Sequence, residues 1–233
     1  MTWTNLETSF LKDNNVEQYY KTYLEHFKEI PAKNLLEIGS RDALHAEILQ
    51  KLAGIDSSKV FIVEPHPQSF KQVVKNFPQY KAFELAISNQ PGVIPFNAIP
   101  AEIWPDHIVG TSSIRSTNVE YVSQYWGAPH PINWIKVLAI SGITLLQLID
   151  EPEIDLVKID VEGFTWEVLL SFGDHIRSLK SLHIEVEWQE VWKEQHVYWE
   201  IQHLLNFYGF KEMYYIPLYL MGNQGDSVWM RND

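Results

Sequence analysis

The sequence predicts an α/β fold, a doubly wound and mainly parallel sheet with helices on both faces and an antiparallel hairpin at its C-terminal end. Three observations predict it. Short apolar runs of high strand propensity, at 34–39, 60–63 and 156–161, each lead into a glycine or an acidic residue. Segments with apolar residues at three- and four-residue spacing separate them, the alternation of βαβ units. Lastly, Lys158, Asp160 and Glu162 sit at period two toward the end of a run otherwise suited to full burial. Charges there need a use, and the carboxyl ends of strands are where open α/β sheets bind ligands.

The elements follow in order. Residues 1–30 read as a helical lead packed on the edge of the sheet, with Val16, Tyr19, Tyr20, Tyr23, Leu24 and Phe27 on one face and Pro31 as its stop. The first strand, 34–39, turns through Gly39-Ser40-Arg41-Asp42-Ala43 into a helix carrying Leu44, Ile48, Leu49 and Leu52. The strand 60–63 closes on Glu64-Pro65-His66-Pro67, and a helix begins near Gln68. A third strand spans 83–87, and after the turn Asn89-Gln90-Pro91-Gly92 the run 93–96 reads as its hairpin partner. Residues 99–134, rich in Pro, Trp, Ser and Thr, form an irregular insertion, a form that in a compact domain usually carries function. Alternation then resumes with strands at 137–140, 155–161 and 182–187 and helices at 144–149, 166–172 and 195–208. Strands near 210–215 and 227–230 form the final hairpin. With no linker, repeat or low-complexity stretch, 1–233 reads as one domain.

Bulk composition narrows the function. The 233 residues are 45% hydrophobic and 21% charged, the balance of a soluble globular chain. No apolar run is long enough to span a bilayer, and the N-terminus lacks the basic and apolar segments of a signal peptide. The absence of cysteine excludes disulfides and thiolate metal sites and agrees with a cytoplasmic location. A net charge of -12 without any basic run argues against nucleic acid as a partner.

Two strand ends carry the binding chemistry. Gly39 after Glu37-Ile38 admits a ligand close to the backbone, and the helix beyond presents free N–H groups. A single glycine is neither a Gly-x-Gly-x-x-Gly loop nor a P-loop, which disfavours dinucleotides and nucleoside triphosphates. Glu64 ends the second strand, where a carboxylate can accept hydrogen bonds from both hydroxyls of a ribose. A nucleoside with a positive charge and no phosphate satisfies both ends, and S-adenosylmethionine fits that description.

Leu156-Val-Lys-Ile-Asp-Val-Glu-Gly163, with Val168-Leu169 and then Ile184-Glu185-Val186, resembles the FkbM family of S-adenosylmethionine-dependent methyltransferases. Glu37-Ile-Gly-Ser, Val63-Glu64-Pro65, Ala86-Ile87-Ser88, Thr111-Ser112-Ser113 and the Ile143-Thr-Leu-Leu run fall in the family's order, so the resemblance covers about 34–215. It implies a class I, Rossmann-like methyltransferase fold and O-methylation of a small molecule or saccharide. It implies that Glu37, Gly39, Ser40 and Arg41 line the methionine end of the cofactor, that Glu64 and Pro65 lie at the ribose and Ala86 and Ile87 at the adenine, and that Asp160 stands at the transfer site. Two positions depart from the family's pattern. Its first turn commonly reads Gly-Ala-Asn-x-Gly where this chain has Gly39-Ser40-Arg41-Asp42-Ala43, and Thr165 replaces a usual glutamate.

Methyl transfer to a hydroxyl requires alignment and removal of a proton. Asp160 and Glu185 are the candidate catalytic carboxylates, and Glu162, Trp126 and His130 the candidate acceptor contacts. Asp160 and Glu185 are also candidate ligands for a hard divalent cation, with His183, Glu185 and Glu187 on one strand face; the alternative for His183 and Glu187 is a solvent-facing strand end. His66 and His130 are candidate bases or plain surface histidines. Trp104, Tyr121, Tyr125, Trp126 and Trp134 could wall an acceptor pocket as a lid over 99–134. Trp188, Trp192 and Trp199 suit core packing or a homo-oligomer contact. The competing readings are a non-catalytic binding module on the same fold and a nicotinamide-dependent enzyme.

Overall fold

A computed structural model describes residues 20–21, 23–27, 31–100, 110–125, 130–217 and 224–232. Along the chain run β1 (Leu35–Ile38), α1 (Leu44–Ala53), β2 (Val60–Val63), α2 (Pro67–Asn76), β3 (Lys81–Phe83), β4 (Ala86–Ile87), β5 (Gly92–Asn97) and α3 (Val119–Tyr125). There follow β6 (Trp134–Ile140), α4 (Gly142–Ile149), β7 (Leu156–Ile159), α5 (Thr165–Leu170), β8 (Ser181–Glu187), α6 (Tyr198–Phe207), β9 (Phe210–Pro217) and β10 (Gln224–Arg231).

Seven strands form the main sheet in the order β3-β2-β1-β7-β8-β10-β9. The first five are mutually parallel, and β10 enters antiparallel to both β8 and β9. The expected α/β sheet with an antiparallel C-terminal pair is therefore present. The chain winds outward from β1 to β3 and then returns to start again at β7. The place where strand order reverses lies between β1 and β7, and there the loops leaving the two strands diverge and open a crevice.

The central strands are covered on both faces. All residues of β1, β2 and β7 are buried. One face is apolar: Leu36, Ile38, Phe61, Val63, Val157, Ile159, Leu182, Ile184 and Val186 pack against Leu145 of α4, Val168 of α5 and Ile201 and Leu205 of α6. Each such fully buried side chain contributes about 1.5–3 kcal/mol. The other face carries Leu35, Ile62 and Leu156 against Ala46 and Leu49 of α1, but a charged row crosses it. Strand register sets Glu37 of β1 beside Lys158 of β7, and Lys158 beside His183 of β8.

Four expectations change. Residues 83–87 are not one strand: β3 stays in the main sheet, while β4 joins a second sheet of order β4-β6-β5. The hairpin expected between 83–87 and 93–96 is replaced by antiparallel pairing of β5 with β6, with β4 parallel to β6 on its other side. Within 99–134, α3 and the bridges Asn97–Ser113 and Thr117–Trp192 add order that sequence periodicity did not signal. The helical residues Tyr20 and Tyr23 cover the face of the sheet rather than its edge, with their rings 5.7 and 6.2 Å from that of His183. Tyr23 Oη lies 2.6 Å from Ser181 Oγ of β8.

Candidate functional site

The mouth of β1 is shaped by backbone conformation. Gly39 has φ +80°, and a Cβ built on it would be driven into the carbonyl group of Asp160. Arg41 and Ala43 also take positive φ, 52° and 63°, which folds the turn tightly before α1. Hydrogen bonds hold it: Gly39 N–H donates to Val63 O and Asp160 N–H to Ile38 O, both at 2.9 Å. The ends of β1, β2 and β7 are thereby knit together just where the crevice opens.

Glu64 lies at the end of β2, 5% exposed. Its Oε2 accepts the Arg41 N–H at 2.6 Å and its Oε1 the His66 N–H at 2.7 Å. Burial pushes its pKa up to about 7, against the opposing pull of the His66, Arg41 and Ser40 N–H groups. Each carboxylate oxygen keeps acceptor capacity beyond one bond. Pro65 beside it is half-buried. His66 works as a helix cap: its Nδ1 accepts from Gln68 N–H at 3.2 Å, and its Nε2 lies 3.1 Å from Ile99 O. It is 7% exposed, so the surface reading of this histidine does not hold.

Glu37 sits beneath the turn rather than on it. It is 1% exposed, accepts the Ser40 hydroxyl at 2.7 Å and lies 4.0 Å from Lys158 Nζ. Burial raises its pKa to about 7, with Lys158 and Ser40 pulling the other way. The Arg41 guanidinium lies 3.5 Å from Asp42 and against Gly110, where a Cβ would come within 2.9 Å of it. Ala86 and Ile87 turn into separate apolar clusters, Ala86 with Phe96 and Ala139, Ile87 with the main core.

At the mouth of β7 the side chains of Asp160, Glu162 and Glu185 converge, each offering an oxygen within 4.8 Å of the others. The Asp160-Val161-Glu162-Gly163 turn makes this possible. Glu162 takes φ 52° and Gly163 φ 77°, a left-handed pair that a β-branched residue would resist. Ser113 Oγ donates to Glu162 O at 2.7 Å, and Gly163 packs so closely on Trp192 that a side chain there would collide with the indole. Glu185 comes from β8, opposite Asp226 of β10.

Electrostatics divides the three acids. Burial alone would raise Asp160, but Lys158, 2.7 Å from Oδ2, outweighs it and holds Asp160 down to about 2. Burial first, and then the charge of Asp160, pushes Glu162 and Glu185 well above the usual carboxylate range. The Glu185 and Asp160 carboxyls face each other with oxygens within 4.8 Å. The two behave as a like-charged pair that shares a proton. His45 of α1 is kept neutral by burial and by Lys158, its pKa lowered to about 3, and Tyr20 hydrogen-bonds its Nδ1.

Other candidates fall elsewhere. His130 is 8% exposed, 2.9 Å from Thr111 Oγ1 and edge-on to the Trp192 ring. Trp104 and Trp126 and the side chain of Tyr125 lie outside the described residues. Trp192 is fully buried, whereas Trp188 and Trp199 are 46% and 54% exposed, so the three share no single packing role. His183 and Glu187, each 2% exposed, are not at a solvent-facing strand end. A groove of about 610 Å³ is lined by Ile114, Arg115, Ser116, Asn118, Phe164, Glu190, Lys193 and Glu194, of which Phe164 follows Gly163 in sequence. Sequence reasoning passed over His45, Ser113 and Asp226 as site residues. Ser113 stood in the Thr111-Ser112-Ser113 run without a role of its own. His45 and Asp226 carry no local signal, since topology alone brings them near the mouth of β7. Lys158 did carry one, its period-two spacing from Asp160.

Three solved structures are similar to this chain, and the first of them supports the fold. Magnesium protoporphyrin IX methyltransferase from Synechocystis PCC 6803, solved with bound S-adenosylmethionine, is 12% identical with a TM-score of 0.51, over 95% of this chain and 81% of that one. A SAM-dependent methyltransferase from Aquifex aeolicus is 13% identical with a TM-score of 0.44, over 91% and 89%. A TehB-like SAM-dependent methyltransferase from Corynebacterium glutamicum is 12% identical with a TM-score of 0.45, over 99% and 100%. No curated protein matches the chain. The sequence profile of the methyltransferase FkbM domain matches residues 37–216, which takes in Glu37, Glu64, Asp160, Glu162 and Glu185, and the chain belongs to that methyltransferase family.

Proposed function

We propose that the protein transfers a methyl group from S-adenosylmethionine to a hydroxyl of a small molecule or saccharide. The observation that carries this reading is the joining of two features at one reversal of strand order. A backbone cradle at Gly39 with Glu64 beside it meets a pair of interacting carboxyls, Asp160 and Glu185.

The cradle fits the cofactor. Gly39 lets the backbones of the β1 and β7 ends close on each other at the floor of the crevice. The buried carboxylate of Glu64 suits the two ribose hydroxyls. The Arg41 guanidinium, on the turn itself, suits the carboxylate of the methionine end, which gives a use to a residue unusual for the family. When bound, S-adenosylmethionine supplies a methyl group made electrophilic by its sulfonium.

The chain's own part is to align and deprotonate the acceptor. Lys158 keeps Asp160 ionised, which leaves Glu185 as the more basic member of the pair and, in its ionised form, the group that takes the acceptor's proton. This changes the order of roles expected from sequence, where Asp160 was the first choice. The groove beside Phe164, with polar groups of both signs, suits a hydroxyl-rich acceptor.

Calorimetry with S-adenosylmethionine tests the reading. Glu64→Ala is expected to weaken binding by about 2–3 kcal/mol through loss of charge-assisted hydrogen bonds. Unchanged affinity in that variant would remove Glu64 from the ribose.

A further inference from the structure

We infer that His45, held by Tyr20, binds the carboxylate at the methionine end of the cofactor through its Nε2–H. The inference rests on the cofactor reading above and extends it to two residues that reading leaves out. One of them, Tyr20, lies before residue 37, where the family profile begins.

His45 stands in the first turn of α1, directly after the cradle turn at 39–43. Ala46 and Leu49 of the same helix are buried, whereas His45 is half-buried. The charged side chains that act on its ring are Lys158, Asp160, Asp42 and Arg41, those of the β1 and β7 mouths. Its two ring nitrogens differ. Nδ1 is hydrogen-bonded by the Tyr20 hydroxyl. Nε2 takes no partner among the described residues, and it is not sealed in the interior.

A neutral imidazole has one N–H and one lone pair, and the bond made by one nitrogen decides what the other carries. Burial and the charge of Lys158 keep His45 neutral. Burial and the carboxylates of Asp226, Glu37 and Asp160 keep Tyr20 un-ionised, so its hydroxyl has a proton to give. An imidazole nitrogen is a better acceptor than a phenol oxygen, so the Tyr20 O–H donates to Nδ1. The proton of His45 is thereby fixed on Nε2. In that form His45 cannot take the acceptor's proton, which leaves that step to Glu185.

Tyr20 is firmly placed for this. It is fully buried, and its ring lies edge-on to His45 and His183, with centroids 5.8 and 5.7 Å away. Three residues on, Tyr23 Oη lies 2.6 Å from Ser181 Oγ, which donates to Asp155 O at 2.6 Å. These bonds tie the segment to β8. A neutral N–H donor near the Arg41 guanidinium suits a carboxylate: Arg41 supplies the charge, and His45 fixes the direction of one oxygen. His45 is then a binding residue, and Tyr20 a positioning residue that acts through it.

Calorimetry with S-adenosylmethionine and with methylthioadenosine, which lacks the amino-acid end, tests this. The amide of His45→Asn reproduces Nδ1 but not Nε2. It is expected to weaken S-adenosylmethionine by about tenfold or more, the loss of one hydrogen bond to a charged group, and to leave methylthioadenosine unchanged. His45→Gln, whose amide nitrogen reaches the Nε2 position, should restore affinity to within about threefold of the parent. NMR of the His45 ring nitrogens should show the proton on Nε2 in the parent and a mixture of tautomers in Tyr20→Phe, a variant that should also weaken S-adenosylmethionine alone. Equal weakening of both ligands by His45→Asn, weakening of neither, or a proton on Nδ1 in the parent would overturn the inference and leave the cofactor reading standing. A parent chain that does not bind S-adenosylmethionine removes both.

Discussion

Gly39 and Asp160 meet backbone to backbone across the two central strands, with the Asp160 carbonyl in the space that a side chain on Gly39 would take. Gly39→Ala must therefore both adopt a left-handed φ, at about 1–2 kcal/mol, and push β7 away from β1. The expected outcome is a loss of at least about 2 kcal/mol in urea denaturation together with loss of cofactor binding. A variant as stable as the parent would show that the two loops can part at no cost.

Lys158 stands between Glu37 and Asp160 with its side chain 5% exposed. Lys158→Met leaves Glu37 buried without a cation and is expected to cost about 3–5 kcal/mol. Adding Glu37→Leu should return much of that loss, because an apolar pair of similar size avoids desolvating two charges. Chemical denaturation of the two single variants and the double variant measures the coupling. Strict additivity would mean that the two residues do not interact.

Burial raises Glu64 from its ordinary 4.5 to about 7. Between those values the folded chain binds more protons than the unfolded chain. The stabilisation is therefore complete at the acid end and is lost as pH rises through the folded value. Glu64→Gln should flatten the fall in melting temperature between pH 5 and pH 8; Glu37, raised in the same direction, keeps part of the slope. A ribose needs the ionised carboxylate, so cofactor affinity should rise across the same range in the parent and stay flat in the variant. Parallel stability profiles for the two proteins would contradict the burial argument.

Ser113 reaches across 49 residues to hold the Glu162 carbonyl at 2.7 Å. Ser113→Ala is expected to cost about 1 kcal/mol of stability. It should lower kcat while the affinity for S-adenosylmethionine is unchanged, since the turn it pins faces the acceptor. A weakened cofactor with unaltered kcat would put Ser113 on the other side of the reaction.

Much of this arrangement was legible because strand ends leave local marks. Gly39, Glu64 and the period-two charges of 156–163 are neighbours in sequence of the strands that position them. What stayed hidden depends on what covers a face. A solvent-facing strand end was one reading of Glu187 and His183 because alternation names a side without saying what lies on it; Tyr20 and Tyr23, far away in sequence, cover His183, and Gln195 hydrogen-bonds Glu187. The split of 83–87 was hidden for a related reason. Phe83 O accepts from Glu64 N–H, whereas the next strand pairs with β6, and no propensity distinguishes two partners for one continuous apolar run.

The charged row across the sheet also governs how the chain can misassemble. Parallel strands lack a hairpin to align them, and β1 and β7 are separated by more than a hundred residues. Sliding β7 by one position would turn Lys158 into the apolar face. Sliding it by two would set Glu37 beside Leu156 or beside Asp160, leaving it with no cation or with a like charge. Alternative pairings are thereby penalised while the native one is tolerated. The Glu37→Leu/Lys158→Met chain, though stable, would lose that discrimination, and its defect would appear as slow or heterogeneous refolding.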